Sequence, residues 1–338
     1  MTGLLQRRTF LSAIPAAAAA LALTKPQRLL AETGYPPPDR ELMVPTAGGR
    51  LYVRINGKLD SPGLPLIVIH GGPGASLFTN LPMLALTKAS PKPRAVILYD
   101  QLDAGQSDWP GNPANWIVPR FVDELESIRQ ALGIERWHVM GQSWGGTIAL
   151  EYGARRPPAL SGLVLSSPMA SARRWIADAR VLRSTLPKEV QAQLRKCDAA
   201  PRHARPAACE KAVSEFNARF LFRDSQSEAD LTAMKASGDR AFNPAVPEAM
   251  WGPNQMKPTG PMRDYDGEPL LARLDGARTL FLTGQYDEAR PSTVRAYAEQ
   301  VPGSEFAVVP GAGHVVYSDR PDDALAIVAR WLGRLEAR

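Results

Sequence analysis

Seven short segments of the chain are continuously apolar or alternate apolar with polar positions: residues 51–55, 66–70, 95–99, 137–140, 163–166, 279–283 and 306–309. Period-two and unbroken apolar runs of this length predict strands, several of them buried on both faces. Between them, apolar positions recur at three- and four-residue spacing over residues 122–132, 145–155, 292–300 and 322–335, which predicts helices. Strand and helix in alternation predict a mainly parallel sheet with helices on both faces.

The alternation stops after residue 167. Residues 169–264 show no strand pattern, only helical segments at 175–183, 188–195, 209–221 and 228–234, separated by prolines and glycines. The chain therefore divides into a core, 32–168 and 265–338, with a helical lid, 169–264, inserted after the sixth strand of the sheet. Residues 1–31 stand apart. Arg7 and Arg8 precede Phe10 and Leu11, then an alanine-rich apolar stretch runs to Leu23. This stretch is shorter than the ~20 apolar residues of a spanning helix. QRRTFL is similar to the twin-arginine export consensus, so the segment is expected to be an export signal cut after Ala22 or Ala31. The mature protein is then expected outside the cytoplasm, periplasmic or secreted, with no stable membrane anchor.

Composition narrows the reading further. At 338 residues, 44% hydrophobic and 22% charged, the chain is long enough for one large α/β domain with an insertion or for two ordinary domains. Its formal charge of +6 falls to +2 without the four basic residues of the first 31, and no run of five like charges occurs. Nucleic acid is not an expected partner.

Candidate chemistry begins with GQSWG, Gly141 to Gly145, after one predicted strand and before one predicted helix. A G-x-S-x-G in that setting is a nucleophile elbow, which holds the Ser143 hydroxyl above the sheet. A seryl hydroxyl needs a general base near neutral pH. Of the four histidines, His70 and His138 lie at or in predicted strands and His203 in the lid, whereas His314 follows the last strand. His314 is the expected base. The acid that orients it should come between them in sequence, and Asp287, in the loop after strand 279–283, fits, with Glu288 as the fallback. An oxyanion hole needs two backbone donors. They are expected from Trp144, after the nucleophile, and from Gly72 or Gly71 in HGGPG, residues 70–74. No metal-ligand cluster or dinucleotide fingerprint is visible, so no cofactor is expected.

HGGPG, YDQLDAGQSD (99–108), GQSWGG, the helical insertion, Asp287 and His314 in this order resemble the proline iminopeptidase family of α/β-hydrolases, nearest to the tricorn-interacting aminopeptidases and L-amino-acid amidases. The resemblance spans residues 40–338. It implies an α/β-hydrolase fold and removal of an amino-terminal residue, often proline, from short peptides or amides through an acyl-serine. The alternative is an esterase or lactonase with the same machinery. It also implies lid carboxylates that bind the substrate ammonium. Here Gln255 stands where a Glu follows Gly-Pro-Asn in the subgroup, and Glu228 is the candidate for the second acidic position. Asp103 and Ala104 replace a Gly and a Cys. A glutamine keeps the oxygen but loses the charge, so ammonium recognition through position 255 is expected to weaken.

Cys197 and Cys209 complete the picture. On one continuous helix they would be ~18 Å apart, but Pro201 and Pro206 break it, and a hairpin can bring them together. In an exported protein a disulfide is the expected state.

Overall fold

The computed structural model describes residues 34–337 except 90, 199–205, 225 and 253–255. The leader, His203 and Gln255 lie outside the described residues.

The core is an eight-stranded sheet: β1 (Arg40–Thr46), β2 (Gly49–Asn56), β3 (Gly63–Ile69), β4 (Arg94–Tyr99), β5 (Trp137–Gln142), β6 (Leu160–Ser166), β7 (Thr279–Gly284) and β8 (Glu305–Val309). Their spatial order is β1-β2-β4-β3-β5-β6-β7-β8. The two pairings of β2 are antiparallel and the rest of the sheet is parallel. The order reverses beside β3, whose neighbours are β4 and β5. In open α/β sheets such a switch point opens a crevice at the carboxyl ends of the strands.

Between β4 and β5 lies α1 (Val118–Ala131), and α2 (Trp144–Ala154) joins β5 to β6. The lid follows β6 as α3 (Ala172–Ser184), α4 (Lys188–Cys197), α5 (Ala207–Phe220), α6 (Glu228–Ser237) and α7 (Ala245–Met250). The short α8 (Glu268–Leu271) leads back to β7. Then α9 (Pro291–Glu299) joins β7 to β8, and α10 (Val316–Asp319) and α11 (Pro321–Leu335) end the chain. Successive strand side chains point to opposite faces, so Ile67 and Ile69 enter one apolar layer with Phe121, Leu125, Ile148 and Val294, while Leu66 and Val68 enter the other with Leu81, Val328 and Leu332. The all-buried parallel strands explain why their sequence runs were apolar without alternation.

Besides the short helices α7, α8 and α10, two elements that frame the core depart from the sequence reading. The edge strand β1 is mostly half-buried, has charged residues at its start and contains Pro45, so it carries no clear period-two signal. Residues 77–88 form a 3-10 helix with Pro82 inside it, a short-period element that apolar spacing at 3.6 residues does not detect.

The lid has its own apolar cluster, Leu186, Leu194, Ala212, Phe216 and Phe220, between α4 and α5. Beside it Cys197 and Cys209 form a disulfide, with Cα atoms 5.6 Å apart across 12 residues of sequence. The helices α4 and α5 pack against each other, which brings together two cysteines that one continuous helix would hold apart.

Candidate active site

Ser143 stands between β5 and α2 with φ +57° and ψ −118°, a conformation that costs a non-glycine residue ~1–3 kcal/mol. The turn is held from all sides: its amide donates to Ser166 O at 2.9 Å, and its carbonyl accepts from Gly146 at 2.9 Å and Met169 at 3.3 Å. The flanking glycines are needed for packing. A Cβ on Gly141 would lie 2.0 Å from Gly145 O, and one on Gly145 would lie 2.3 Å from Ile69 O. Trp144, the first residue of α2, has an amide with no carbonyl one turn back to bond. Gly72 sits at φ +42° after β3, and Gly72, Ser143 and Trp144 line one cavity. Gln101 ties these two loops together: its amide side chain donates to His70 O at 3.1 Å and accepts from Trp144 Nε1 at 2.9 Å.

Asp287 and His314 come from the loops after β7 and β8. His314 Nδ1 is 2.7 Å from Asp287 Oδ1, which also accepts the Ala289 amide at 2.7 Å. The other carboxylate oxygen accepts from the Ser167 hydroxyl, Thr283 Oγ1 at 2.9 Å and Gly284 N at 3.1 Å. With every lone-pair direction occupied, Asp287 is fixed in orientation and held as an acceptor, which places the Nδ1 proton on the histidine. Ser167, at φ +48°, also donates to His314 O at 3.3 Å. Neither Ser167 nor Thr283 was singled out in the sequence; polar residues at the carboxyl ends of β6 and β7, one of them before Pro168, were the available signal.

His314 is 3% exposed, and its Nε2 makes no hydrogen bond among the described residues. The Glu288 carboxylate lies 3.6 Å from Nε2. Glu288 thus faces the opposite ring nitrogen from Asp287 and is not an alternative orienting acid. Burial alone would lower the imidazole pKa, but the charges of Asp287 and Glu288 and the hydrogen bond to Asp287 outweigh it, and the net direction is upward. Burial, assisted by Asp287, raises the Glu288 carboxyl above its usual range, against the pull of His314. The Trp175 ring stands edge-on to His314 at 5.6 Å.

The cavity beside Ser143 holds about 210 Å³. Its walls are Pro73, Met169, Trp175, Phe242, Met250 and Met262 among others, and among the described residues Glu288 is the one acidic residue in them. Glu228, expected in the substrate site, is instead exposed in the first turn of α6 and does not line this cavity. The reason is local: α6 packs on the 3-10 helix at 77–88, and Asp230 accepts the Tyr35 hydroxyl at 2.7 Å, which holds the start of α6 at that contact while Glu228 stays exposed. The other described histidines are engaged elsewhere. His70 is buried and accepts from Gln101 N at 3.2 Å, and His138 pairs with Glu336 at 2.9 Å at the amino end of β5. Among the described residues no group of three His, Cys, Asp or Glu side chains could hold a metal ion.

A family model for the alpha/beta hydrolase fold matches residues 65–321. A proline iminopeptidase of Heyndrickxia coagulans is 33% identical over 298 residues, 87% of this chain and 99% of that protein. A proline iminopeptidase of Levilactobacillus brevis is 30% identical over 302 residues, 87% of this chain and 96% of its own. Among solved structures, proline iminopeptidase from Mycobacterium smegmatis superposes with a TM-score of 0.75 at 31% identity, covering 88% of this chain and 99% of that one. VinJ superposes with a TM-score of 0.80 at 32% identity, covering 88% and 100%.

Proposed function

The chain belongs to the α/β-hydrolases and, within them, to the proline iminopeptidase family, and on that premise we propose that it releases an amino-terminal residue from short peptides or amides through an acyl-Ser143 intermediate. The observation that carries the reading is the 2.7 Å bond from His314 Nδ1 to Asp287, with Nε2 free of any hydrogen bond among the described residues and 3.6 Å from Glu288, which lines the same cavity as Ser143. His314 Nε2 takes the seryl proton as Oγ attacks the scissile carbonyl, and Asp287 stabilises the imidazolium that forms. The Trp144 and Gly72 amides receive the charge on the carbonyl oxygen. His314 returns its proton to the leaving nitrogen as the C–N bond breaks, and water then releases the acyl group by the same route.

Glu288 supports the choice of a free amino terminus. Among the described residues it is the one carboxylate in a largely apolar wall, where a substrate ammonium gains a charge-assisted hydrogen bond. Glu288 thereby takes the anionic role that Gln255 cannot fill as a neutral side chain. The test is chemical. Ser143→Ala and His314→Ala should each lower turnover of a prolyl anilide by several orders of magnitude, Asp287→Asn somewhat less, and a fluorophosphonate should label Ser143 in the wild type. A folded wild-type protein that takes up no label on Ser143 would remove the mechanism.

We further propose export through the leader, supported by the paired Arg7 and Arg8 and by a disulfide suited to an oxidising compartment. Amino-terminal sequencing of periplasmic protein should begin at residue 23 or 32, and Arg7→Lys with Arg8→Lys should retain the chain inside; equal export of both would contradict it.

A further inference from the structure

The α5 helix ends against the histidine loop. Carbonyls in the last turn of a helix lack intrahelical partners, and here the loop supplies them. Phe220 O accepts the amides of His314 at 3.0 Å and Glu288 at 3.2 Å, and Leu221 O accepts that of Val315 at 3.2 Å. From the other side Asp319 closes the same junction. One of its oxygens accepts Gly313 N at 2.7 Å, and the carboxylate also accepts Arg223 N at 3.0 and 3.1 Å and Asp224 N at 3.2 Å. Asp319 is 5% exposed, so little water competes for these bonds. The backbone packs closely here, and a Cβ added at Gly313 would lie 3.0 Å from Leu221 O, 3.1 Å from Phe220 O and 3.2 Å from Asp319 Oδ2, so a side chain would crowd the junction. The residues immediately before and after His314, and His314 itself, are thus bonded to the lid or to the carboxylate that holds it.

We propose that Asp319 is a positioning residue for His314: it fastens the base's loop to Arg223 and Asp224 of the lid, beside the Phe220 and Leu221 carbonyls that bond the same loop, so that one junction sets the placement of the lid and of Nε2. The inference rests on the reading of His314 as the base. A carboxylate is required because three backbone donors converge on it from two segments of chain; an amide would offer one oxygen and turn an NH2 towards a donor. A misplacement of ~1 Å at a catalytic group can cost about a hundredfold in rate.

The experiment compares the full-length wild type with Asp319→Asn, Asp319→Glu and His314→Ala, using kcat and KM for a prolyl p-nitroanilide and the rate of Ser143 phosphonylation, each normalised to folded protein. Asp319→Asn should lower kcat and the phosphonylation rate together by roughly ten- to a hundredfold, with KM changed by less than about threefold, and Asp319→Glu should recover part of the loss. If Asp319→Asn does not fold, Asp319→Glu carries the test, with kcat expected between wild type and His314→Ala. A lower Tm with kcat per folded molecule within about twofold of wild type, in whichever variant folds, would overturn the inference while leaving the mechanism intact. Activity retained by His314→Ala would overturn the mechanism, and the inference with it.

Discussion

At His314 burial and charge act on one ring in opposite directions, and the carboxylates of Asp287 and Glu288 prevail. The base works only with Nε2 unprotonated, so kcat/KM is expected to fall as the pH drops, with its midpoint above the ordinary histidine value of ~6.5. Because the folded pKa is raised, the charged pair also contributes stability that is fully present below ~6.5 and is lost as pH rises through the folded value. Glu288→Gln removes one of the two nearby charges and should move the kinetic midpoint down; a pH profile of the variant with an unmoved midpoint would contradict this electrostatic account. Ser143, Asp287 and His314 could be read in the sequence because each follows an apolar strand in a recognisable order. Glu288 could not be placed that way. An acidic residue next to another in a loop reads as a solvated turn, and only the direction of the β7–α9 loop turns it towards the cavity.

Among the elements, the α4–α5 hairpin is where sequence and structure meet most directly. Two cysteines separated by prolines implied a chain reversal, and the helices are joined through Cys197 and Cys209 beside a small apolar cluster. A loop of this length stabilises the fold by about 3 kcal/mol, and reduction, or Cys197→Ser with Cys209→Ser, should lower Tm by roughly 5 to 10 °C if the lid unfolds with the core. Differential scanning calorimetry with and without reductant measures it, and an unchanged Tm together with two titratable thiols in unreduced protein would exclude the bond. Strands buried on both faces and helices with a 3.6-residue stripe were legible. The half-exposed β1 and the 3-10 helix at 77–88 were not, because neither carries the periodicity that marks a strand or an α-helix.

On the scale of the molecule, the sheet brings to one edge four loops that are far apart in sequence, those after β3, β5, β7 and β8, and the lid completes the wall with Trp175, Phe242, Met250 and Met262. Alternation of strand and helix made the mainly parallel core with helices on both faces legible, whereas the order of its strands is given by the structure. Which lid residues face the cavity was not, since a helix of mixed polarity can turn either face inward, and Glu228 turned outward. The central claim is that this cavity holds a free amino terminus against Glu288 while Ser143 attacks the first carbonyl. The most direct measurement compares kcat/KM for prolyl and N-acetylprolyl p-nitroanilides in the wild type and Glu288→Gln. One buried charge-assisted bond is worth about 1.5 to 3 kcal/mol, so the wild type should prefer the free amine by roughly ten- to a hundredfold, and Glu288→Gln should abolish most of that preference. Equal turnover of the two substrates by the wild type, or a preference for the acetylated one, would contradict the claim.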